Sequence, residues 1–240
     1  MPASAVGAAP HHKEHLLSNS VSRQETNHVP EPITAVAELM SSFRAPWALC
    51  GGWAVDAWLG QLTRDHADVD ISVFADDQRV LFDHLVGWQL VAHDLNDTHQ
   101  PWDGRHLDLP NHIQARLDAG EGLPDRLDAA PQQGCSLDIQ LGDRSGDDWI
   151  LSRQPRISFP LRNGVQQSPW GLPTLVPEVL LFYKATAYFG IEETLEGGRF
   201  QDEPDFLALL PHLTDGQRDW LREAISLVQP AHPWLSQLSA

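Results

Sequence analysis

The stretch CGGWAVDAWLGQLTRDHADVDISVF (residues 50–74) combines two features that decide the fold and the function of this chain. Gly51 and Gly52 follow a short apolar run, and sixteen residues after the second glycine an Asp-x-Asp pair opens a run of strand-forming residues. Because side chains alternate between the two faces of a strand, Asp68 and Asp70 are predicted to share one face. The valine and isoleucine side chains that alternate with them are then predicted to pack inward.

Two carboxylates on one face of a strand are typical of a site for a hard divalent cation. They repel each other, and burial would raise their pKa values unless a cation lies between them. Mg²⁺ prefers such oxygen clusters and keeps open positions for substrate phosphates. The alternative is the solvated outer face of an edge strand, where such a pair is harmless. The Asp-x-Asp pair alone favours this alternative, and the metal site depends on the features that accompany the pair.

A second alternating segment, SLDIQLG (residues 136–142), places Asp138 on a polar strand face. If this strand neighbours the first, Asp138 completes a three-carboxylate cluster with Asp68 and Asp70. Two metal ions about 4 Å apart in such a cluster would clamp the attacking and leaving oxygens of a nucleotidyl transfer. Asp138 could also take the proton of an attacking hydroxyl. Because Asp138 follows Asp70 only after a long interval, Asp108 is the alternative third carboxylate.

The Gly-Gly pair is predicted to lie between a strand and a helix. There its backbone N–H groups would face a ligand at the positive end of the helix dipole. Without Cβ atoms, Gly51 and Gly52 would let phosphate oxygens approach the main chain. The alternative for two adjacent glycines is a plain tight turn.

The combined pattern resembles the signature of the polymerase-beta-type nucleotidyltransferase superfamily. It is most similar to the small aminoglycoside and lincosamide nucleotidyltransferases, in which Gly-Gly-Trp-Ala-x-Asp and Thr-Arg-x-His-x-Asp-x-Asp recur together. The resemblance is strong over residues 47–75, moderate over 136–160 and 173–240, and poor over 93–134.

On this resemblance, Asp68 and Asp70 would bind a pair of Mg²⁺ ions, and Asp138 would be the third carboxylate, as a metal ligand, a base or both. ATP would be the nucleotide donor.

The resemblance also implies the residues that bind the nucleotide. Gly51 and Gly52 would hold its β- and γ-phosphates, and Lys184 would neutralise triphosphate charge. Arg64 and His66 would either face the triphosphate or brace the site. The family commonly has Arg-x-Lys-Asp after this lysine, whereas residues 199–202 read RFQD, so Gln201 stands at a usually basic position and leaves a second cationic contact in doubt.

The order of predicted elements indicates an α+β protein with the nucleotidyltransferase fold: a mixed sheet with flanking helices, followed by a helical C-terminal region. We predict a disordered tail over residues 1–30, a nucleotidyltransferase domain over 31–160 and the helical region over 173–240. Helices are predicted over 30–46, 53–60, 76–86, 177–190, 202–213 and 215–228, and strands over 47–50, 68–74, 88–92, 136–142 and 149–161 with a turn at Pro155. Residues 93–134 are predicted to be loops with at most one helix.

The composition restricts the partners and the compartment. The 240 residues carry a net charge of −17, which disfavours a nucleic-acid partner and would attract a polycation, or simply keep the protein soluble. Two cysteines without CxxC spacing predict neither disulfides nor zinc, and a cytoplasmic protein. No apolar run approaches the ~20 residues of a membrane span, and the N-terminus does not read as a secretion signal.

Aromatic, histidine and acidic residues outside the motif give further hypotheses. Trp53 and Trp58 are predicted to be core residues, whereas Trp102 and Trp170 in loops could stack on a substrate ring. The histidines lack zinc spacing and are predicted to lie in loops: residues 84, 93, 99, 106 and 112. Acidic loop residues would line a cationic acceptor pocket if the fold gathers them, and are otherwise solvated surface: residues 94, 97, 103 and 108.

We therefore predict a Mg²⁺-dependent nucleotidyltransferase that moves AMP from ATP to a hydroxyl of a small, cationic, aminoglycoside-like molecule and releases pyrophosphate. The alternatives are a toxin-like enzyme that modifies tRNA, a glycosyltransferase with Mn²⁺ at its Asp-x-Asp pair, and a catalytically inactive nucleotide-binding or partner-binding module. The sequence makes no prediction of the oligomeric state.

Overall fold

The computed structural model describes residues 28–93, 99–108, 112–116, 136–153, 155–186 and 201–239. The predicted tail up to residue 27, the acidic residues 94 and 97, and the end of the predicted helix 177–190 lie outside this part of the chain. In chain order the elements are α1 (Glu31–Met40), β1 (Trp47–Leu49), α2 (Gly51–Leu59), β2 (Asp68–Phe74), α3 (Gln78–His84), β3 (Gln89–His93), β4 (His99–Pro101), β5 (His112–Arg116), β6 (Ser136–Ser145), β7 (Asp148–Arg153), β8 (Arg156–Pro160), α4 (Leu161–Gly164), β9 (Val165–Gln167), β10 (Pro173–Leu175), α5 (Pro177–Thr186), α6 (Asp202–Leu209), α7 (Asp215–Val228) and α8 (Trp234–Gln237).

The strands form one mixed sheet in the order β4-β3-β5-β6-β2-β1-β10-β9, and β7 and β8 extend from the far end of β6 as a hairpin. Strands β2 and β6 run parallel, as do β1 and β10, and the other pairs are antiparallel. This mixed sheet with flanking helices, followed by the helices α5 to α8, confirms the predicted α+β fold class. The strand predicted over 149–161, with a turn at Pro155, is observed as two strands, β7 and β8, which pair antiparallel on either side of that turn.

The apolar faces of the central strands form the core, as the alternation in the sequence predicts. Val69, Ile71 and Val73 of β2 are at most 1% exposed, and Leu137 and Ile139 of β6 pack beside them. Burying five such side chains stabilises the sheet by roughly 1.5–3 kcal/mol each. The opposite face of the same two strands is therefore left for polar side chains.

Helix α2 lies at the centre of the molecule and positions the start of the site. It contacts β2, β10, α5 and α6, and its residues 53–57 are all buried. It ends at Gly60, whose φ of 68° is the left-handed conformation that glycine adopts without strain. Because α2 packs against four other elements, its N-terminus is held in a fixed position beside the sheet.

The prediction of loops over residues 93–134 is confirmed for residues 102–108 and wrong for two stretches that are strands, β4 and β5. β5 lies between β3 and β6, and its Ile113 and Ala115 face the core with 0% exposure. Only two buried side chains mark this strand in the sequence, too few for a clear alternation. Histidines 93, 99 and 112, predicted to be loop residues, are therefore strand residues.

The C-terminal helices pack on the sheet side that carries α2. Helix α7 contacts α5, and its first turn is closed by a capping box in which Thr214 and Gln217 bond each other's backbone N–H groups. No helix in the described ranges is long and apolar enough to cross a membrane.

Candidate active site

The register of β2 and β6 brings the predicted carboxylates together. Asp70 lies directly opposite Asp138 in the parallel pair, and Asp68 lies opposite Ser136 one step along the same face. Adjacent strands are about 4.8 Å apart, so Asp70 and Asp138 are immediate neighbours. Asp108 lies exposed in the loop after β4 and takes no part in this pairing. Of the two candidates for the third carboxylate, the fold places Asp138 beside Asp70.

Burial and neighbouring carboxylates raise the pKa values of Asp68 and Asp70. Burial, followed by the charges of Asp68 and Asp138, raises the pKa of Asp70 from 3.8 to about 7. Burial, followed by the charge of Asp138, raises the pKa of Asp68. Two amides partly offset this repulsion: Gln140 Nε2 donates to Asp70 Oδ1 and Gln114 Nε2 to Asp138 Oδ1, each at 3.3 Å.

This cluster fits a divalent cation by its chemistry and its placement. Its donors are carboxylate oxygens, which Mg²⁺ prefers, and a cation would relieve the repulsion that raises the pKa values of Asp68 and Asp70. As the side chains stand, no three His, Cys, Asp or Glu residues in the described ranges are spaced to hold a metal ion. Binding would therefore require side-chain rotation on backbone positions that are already in register.

Gly51 begins α2 directly against Asp70. Its φ is 64°, and a Cβ atom there would lie 2.6 Å from the Asp70 Cγ, closer than real side chains approach. The preceding Cys50 places no side-chain cap on the helix, while its backbone N–H donates to the Asp70 carbonyl at 2.9 Å. The N-terminus of α2 thus lies beside the carboxylates and has no side-chain cap. A helix end that binds an anion requires such uncapped backbone N–H groups.

Gly52 is in close contact with two residues of the loop that leads into β2. A Cβ atom on Gly52 would lie 2.7 Å from His66 Nδ1 and closer still to a terminal nitrogen of Arg64. The sequence argument explained the two glycines by the approach of phosphate to the main chain. The structure adds a second reason, since site side chains occupy the space that Cβ atoms would fill.

A chain of buried polar contacts holds Arg64 in place. His66 Nε2 donates to Asp56 Oδ2 at 2.7 Å, and Thr63 donates to the other oxygen of Asp56. Arg64 Nη1 donates to His66 Nδ1 at 3.0 Å, which fixes the tautomer because Nδ1 must then accept. Asp56 is fully buried and the His66 side chain only 3% exposed, so the arginine rests on a rigid support.

Lys184 lies beside the same arginine and shares a carboxylate with it. Its Nζ is 2.7 Å from Asp205 Oδ2 and 3.0 Å from Asp202 Oδ1. Arg64 Nη2 is 3.3 Å from the same Asp205 oxygen. Gln201 precedes α6 and is exposed.

Sequence reasoning assigned no role to Asp56 or Asp205. Asp56 could have been found, because it is the acidic residue of the Gly-Gly-Trp-Ala-x-Asp pattern. Asp205 carries no local signal, since it meets Arg64 across 141 positions of sequence.

The hypothesis that two loop tryptophans stack on a substrate ring is not supported by their burial. Trp102 and Trp170 are each only 6% exposed. Trp102 packs edge-on against Phe82, and Trp170 packs against Trp53, whose own ring lies 4.2 Å from that of His66. These rings belong to the core, as predicted for Trp53.

Comparisons with known proteins bear on the fold of this chain. A family model described as aminoglycoside-2''-adenylyltransferase matches residues 32–100. The solution structure of the antibiotic-resistance factor ANT(2'')-Ia is similar with a TM-score of 0.51 at 14% identity, covering 81% of this chain and 89% of that one. A crystal structure of ANT(2'')-Ia in complex with adenylyl-2''-tobramycin gives a TM-score of 0.50 at 14% identity, covering 81% of this chain and 95% of that one.

A third structure, the lincomycin-bound lincosamide antibiotic adenylyltransferase LnuA, gives a TM-score of 0.48 at 16% identity, covering 77% of this chain and 98% of that one. No curated protein sequence matches the chain significantly. The predicted resemblance to the small antibiotic nucleotidyltransferases is thus confirmed, and the fold is theirs.

Proposed function

We propose that this protein is a Mg²⁺-dependent adenylyltransferase that moves AMP from ATP to a hydroxyl of a small cationic molecule and releases pyrophosphate. The observation that carries the proposal is the direct pairing of Asp70 with Asp138 on adjacent strands, beside the N-terminus of α2. Burial and the neighbouring carboxylates raise the pKa values of Asp68 and Asp70, as is common for groups at functional sites, and this unfavourable placement calls for an explanation. A phosphate-bound cation supplies that reason.

Asp68, Asp70 and Asp138 would hold Mg²⁺, one ion or two. When bound, Mg²⁺ would neutralise charge on the phosphate oxygens and favour deprotonation of the acceptor hydroxyl. Asp70 is the central ligand because it is flanked by both other carboxylates. Gln140 and Gln114 keep contact with one oxygen of Asp70 and of Asp138, which leaves the other oxygen of each for a ligand.

The nucleotide would lie toward α2 and α5. Backbone N–H groups of Gly51 and Gly52 would donate to its phosphate oxygens. Arg64 and Lys184 would offset triphosphate charge, and His66 would brace Arg64. The Nε of Arg64 is buried and has no hydrogen-bond partner in the described part of the chain, so the guanidinium keeps a donor that an anion could use.

The acceptor hydroxyl would approach from the Asp138 side. Its proton would pass to the Asp138 oxygen that Gln114 does not occupy, while the hydroxyl oxygen forms a bond to the α-phosphorus of ATP. The bond between the α-phosphorus and the α–β bridging oxygen would break, and pyrophosphate would leave with that electron pair. The net charge of −17 favours a cationic acceptor over a nucleic acid.

The test is a pyrophosphate-release assay with ATP and Mg²⁺ across aminoglycosides, lincosamides and tRNA. We expect release with at least one aminoglycoside, abolished in Asp70→Asn and unchanged in Asp219→Asn, a matched change at a carboxylate that is 71% exposed on α7. Pyrophosphate release with tRNA and with no small molecule would show that the acceptor is an RNA and not a small cationic molecule. Activity that survives Asp70→Asn would refute the proposed site.

A further inference from the structure

We infer that Asp205 is a positioning residue of the nucleotide site: its one buried carboxylate holds both Arg64 and Lys184 where the triphosphate must bind. The inference rests on the proposed function for the identity of the ligand. It assigns to α6 a part in nucleotide binding that neither the sequence motifs nor the matched region, residues 32–100, contains.

The geometry makes Asp205 the common partner of both cations. A single oxygen, Oδ2, lies 2.7 Å from Lys184 Nζ and 3.3 Å from Arg64 Nη2. Arg64 lies in the loop before β2 and Lys184 lies in α5. Because these residues are far apart in the sequence, their separation is set by tertiary contacts and not by the local backbone. Asp205, on α6, therefore ties three distant segments together at one atom.

Burial makes this contact strong enough to position side chains. The side chain of Asp205 is 4% exposed, that of Lys184 11% and that of Arg64 24%. A charged pair removed from water is screened little by salt, and hydrogen bonds between ionised groups are about twice as strong as neutral ones. The side chains of Lys184 and Arg64 are therefore ordered before the nucleotide binds, which reduces the entropy cost of binding it.

Two effects of Asp205 on an anionic ligand oppose each other, and the structure indicates which is larger. The negative charge of Asp205 repels a triphosphate, so its removal by itself would tighten ATP binding. Yet Asp205 also keeps two side chains aimed at one place, and without it Lys184 retains Asp202 while Arg64 loses its only carboxylate in the described ranges. The support from His66 reaches only the other terminal nitrogen, Nη1. We therefore expect the positional loss to outweigh the relief of repulsion.

Equilibrium binding of ATP with Mg²⁺, measured by isothermal titration calorimetry, decides between the two effects. Asp205→Asn keeps the size of the side chain and removes its charge. We expect its Kd for ATP to rise about tenfold. The control is Asp202→Asn, which removes a carboxylate that touches Lys184 and does not touch Arg64, and its Kd should rise less than about threefold. An unchanged or lower Kd in Asp205→Asn would overturn the inference.

A double-mutant cycle separates positioning from a merely structural role. If Asp205 acts by positioning Arg64, then adding Asp205→Asn to Arg64→Met should weaken ATP binding much less than it does in the wild type. Additive effects on the Kd would overturn the inference, because a general loss of packing adds to any other change. If Asp205→Asn alone does not fold, the double variant, which removes both charges of the pair, is compared with Arg64→Met. An unchanged Kd then supports the inference, and a further rise overturns it.

Catalysis gives an independent readout. In Asp205→Asn the KM for ATP should rise while the KM for the acceptor stays within about twofold, since the ion pairs of Asp205 in the described part of the chain are with Arg64 and Lys184. Equal rises in both would contradict the inference. If the wild type binds ATP but transfers nothing, the proposed function fails while the binding comparison still tests Asp205.

Discussion

Replacing Asp70 by asparagine should stabilise the metal-free protein while abolishing its activity. The pKa of Asp70 is raised from 3.8 to about 7, so the ionised side chain disfavours the folded state wherever the unfolded chain is already ionised. At about pH 8 this difference corresponds to a ceiling of about 4 kcal/mol, which solvent screening and side-chain relaxation reduce to about 2–4 kcal/mol. Asparagine keeps the shape and the Gln140 contact without the charge.

The sign of the pH dependence follows from the raised pKa. Below about pH 4 the carboxyl is neutral in both states and Asp70 costs nothing. Between about pH 4 and pH 7 the unfolded chain ionises and the folded one does not, so the wild type loses stability as the pH rises. The advantage of Asp70→Asn should therefore more than halve when the pH falls from about 8 to about 5.

Urea unfolding in the presence of EDTA measures this advantage, and Asp219→Asn is the control for removal of an exposed charge. Adding Mg²⁺ should then stabilise the wild type alone and narrow or reverse the difference. The reasoning is refuted if Asp70→Asn is no more stable than the wild type at about pH 8 without metal. It is also refuted if the gain is the same at both pH values.

Three further substitutions test the supports of the site. Gly51→Ala should destabilise the protein by at least about 2 kcal/mol more than Gly146→Ala does, because both have positive φ but only the Cβ at 51 meets the Asp70 carboxylate; urea unfolding of both variants gives the difference, and equal losses would contradict it. Asp56→Asn breaks a fully buried pair and should cost about 3 kcal/mol in the same assay and raise the KM for ATP in pyrophosphate release; a neutral effect on both would show that this pair supports nothing. Thr214→Ala removes the cap of α7 and should cost about 1 kcal/mol in thermal unfolding without changing pyrophosphate release; a drop in activity would mean that α7 takes part in the site.

The parts of the fold that sequence predicts well are those where local pattern and tertiary contact agree. In β2 every second side chain is apolar, and the register fixes which face carries Asp68 and Asp70. The break at Gly51 and Gly52 was predictable because two glycines follow a short apolar run. The structure adds the reason for glycine at position 51, since a Cβ atom there would clash with the Asp70 side chain. Asp138 was predictable as a polar residue on an alternating strand, although its pairing with β2 was only conditional.

The parts that sequence does not predict depend on partners far away in the chain. Strand β5 has only Ile113 and Ala115 to mark it, and it exists because β3 and β6 pair with it on both sides. Trp102 and Trp170 lie outside regular elements yet are buried, since distant rings cover them. The carboxylate of Asp205 reaches the site only after α6 packs against α2. Each of these is a consequence of packing between segments that no local window contains.

The most direct test of the central claim is a crystal structure with Mn²⁺ and a non-hydrolysable ATP analogue, in which anomalous scattering locates the metal. The account predicts a peak within about 2.3 Å of carboxylate oxygens of both Asp70 and Asp138, with the triphosphate reaching from it toward the N-terminus of α2. A metal bound elsewhere, or a nucleotide that avoids the Gly51–Gly52 end of that helix, would contradict it.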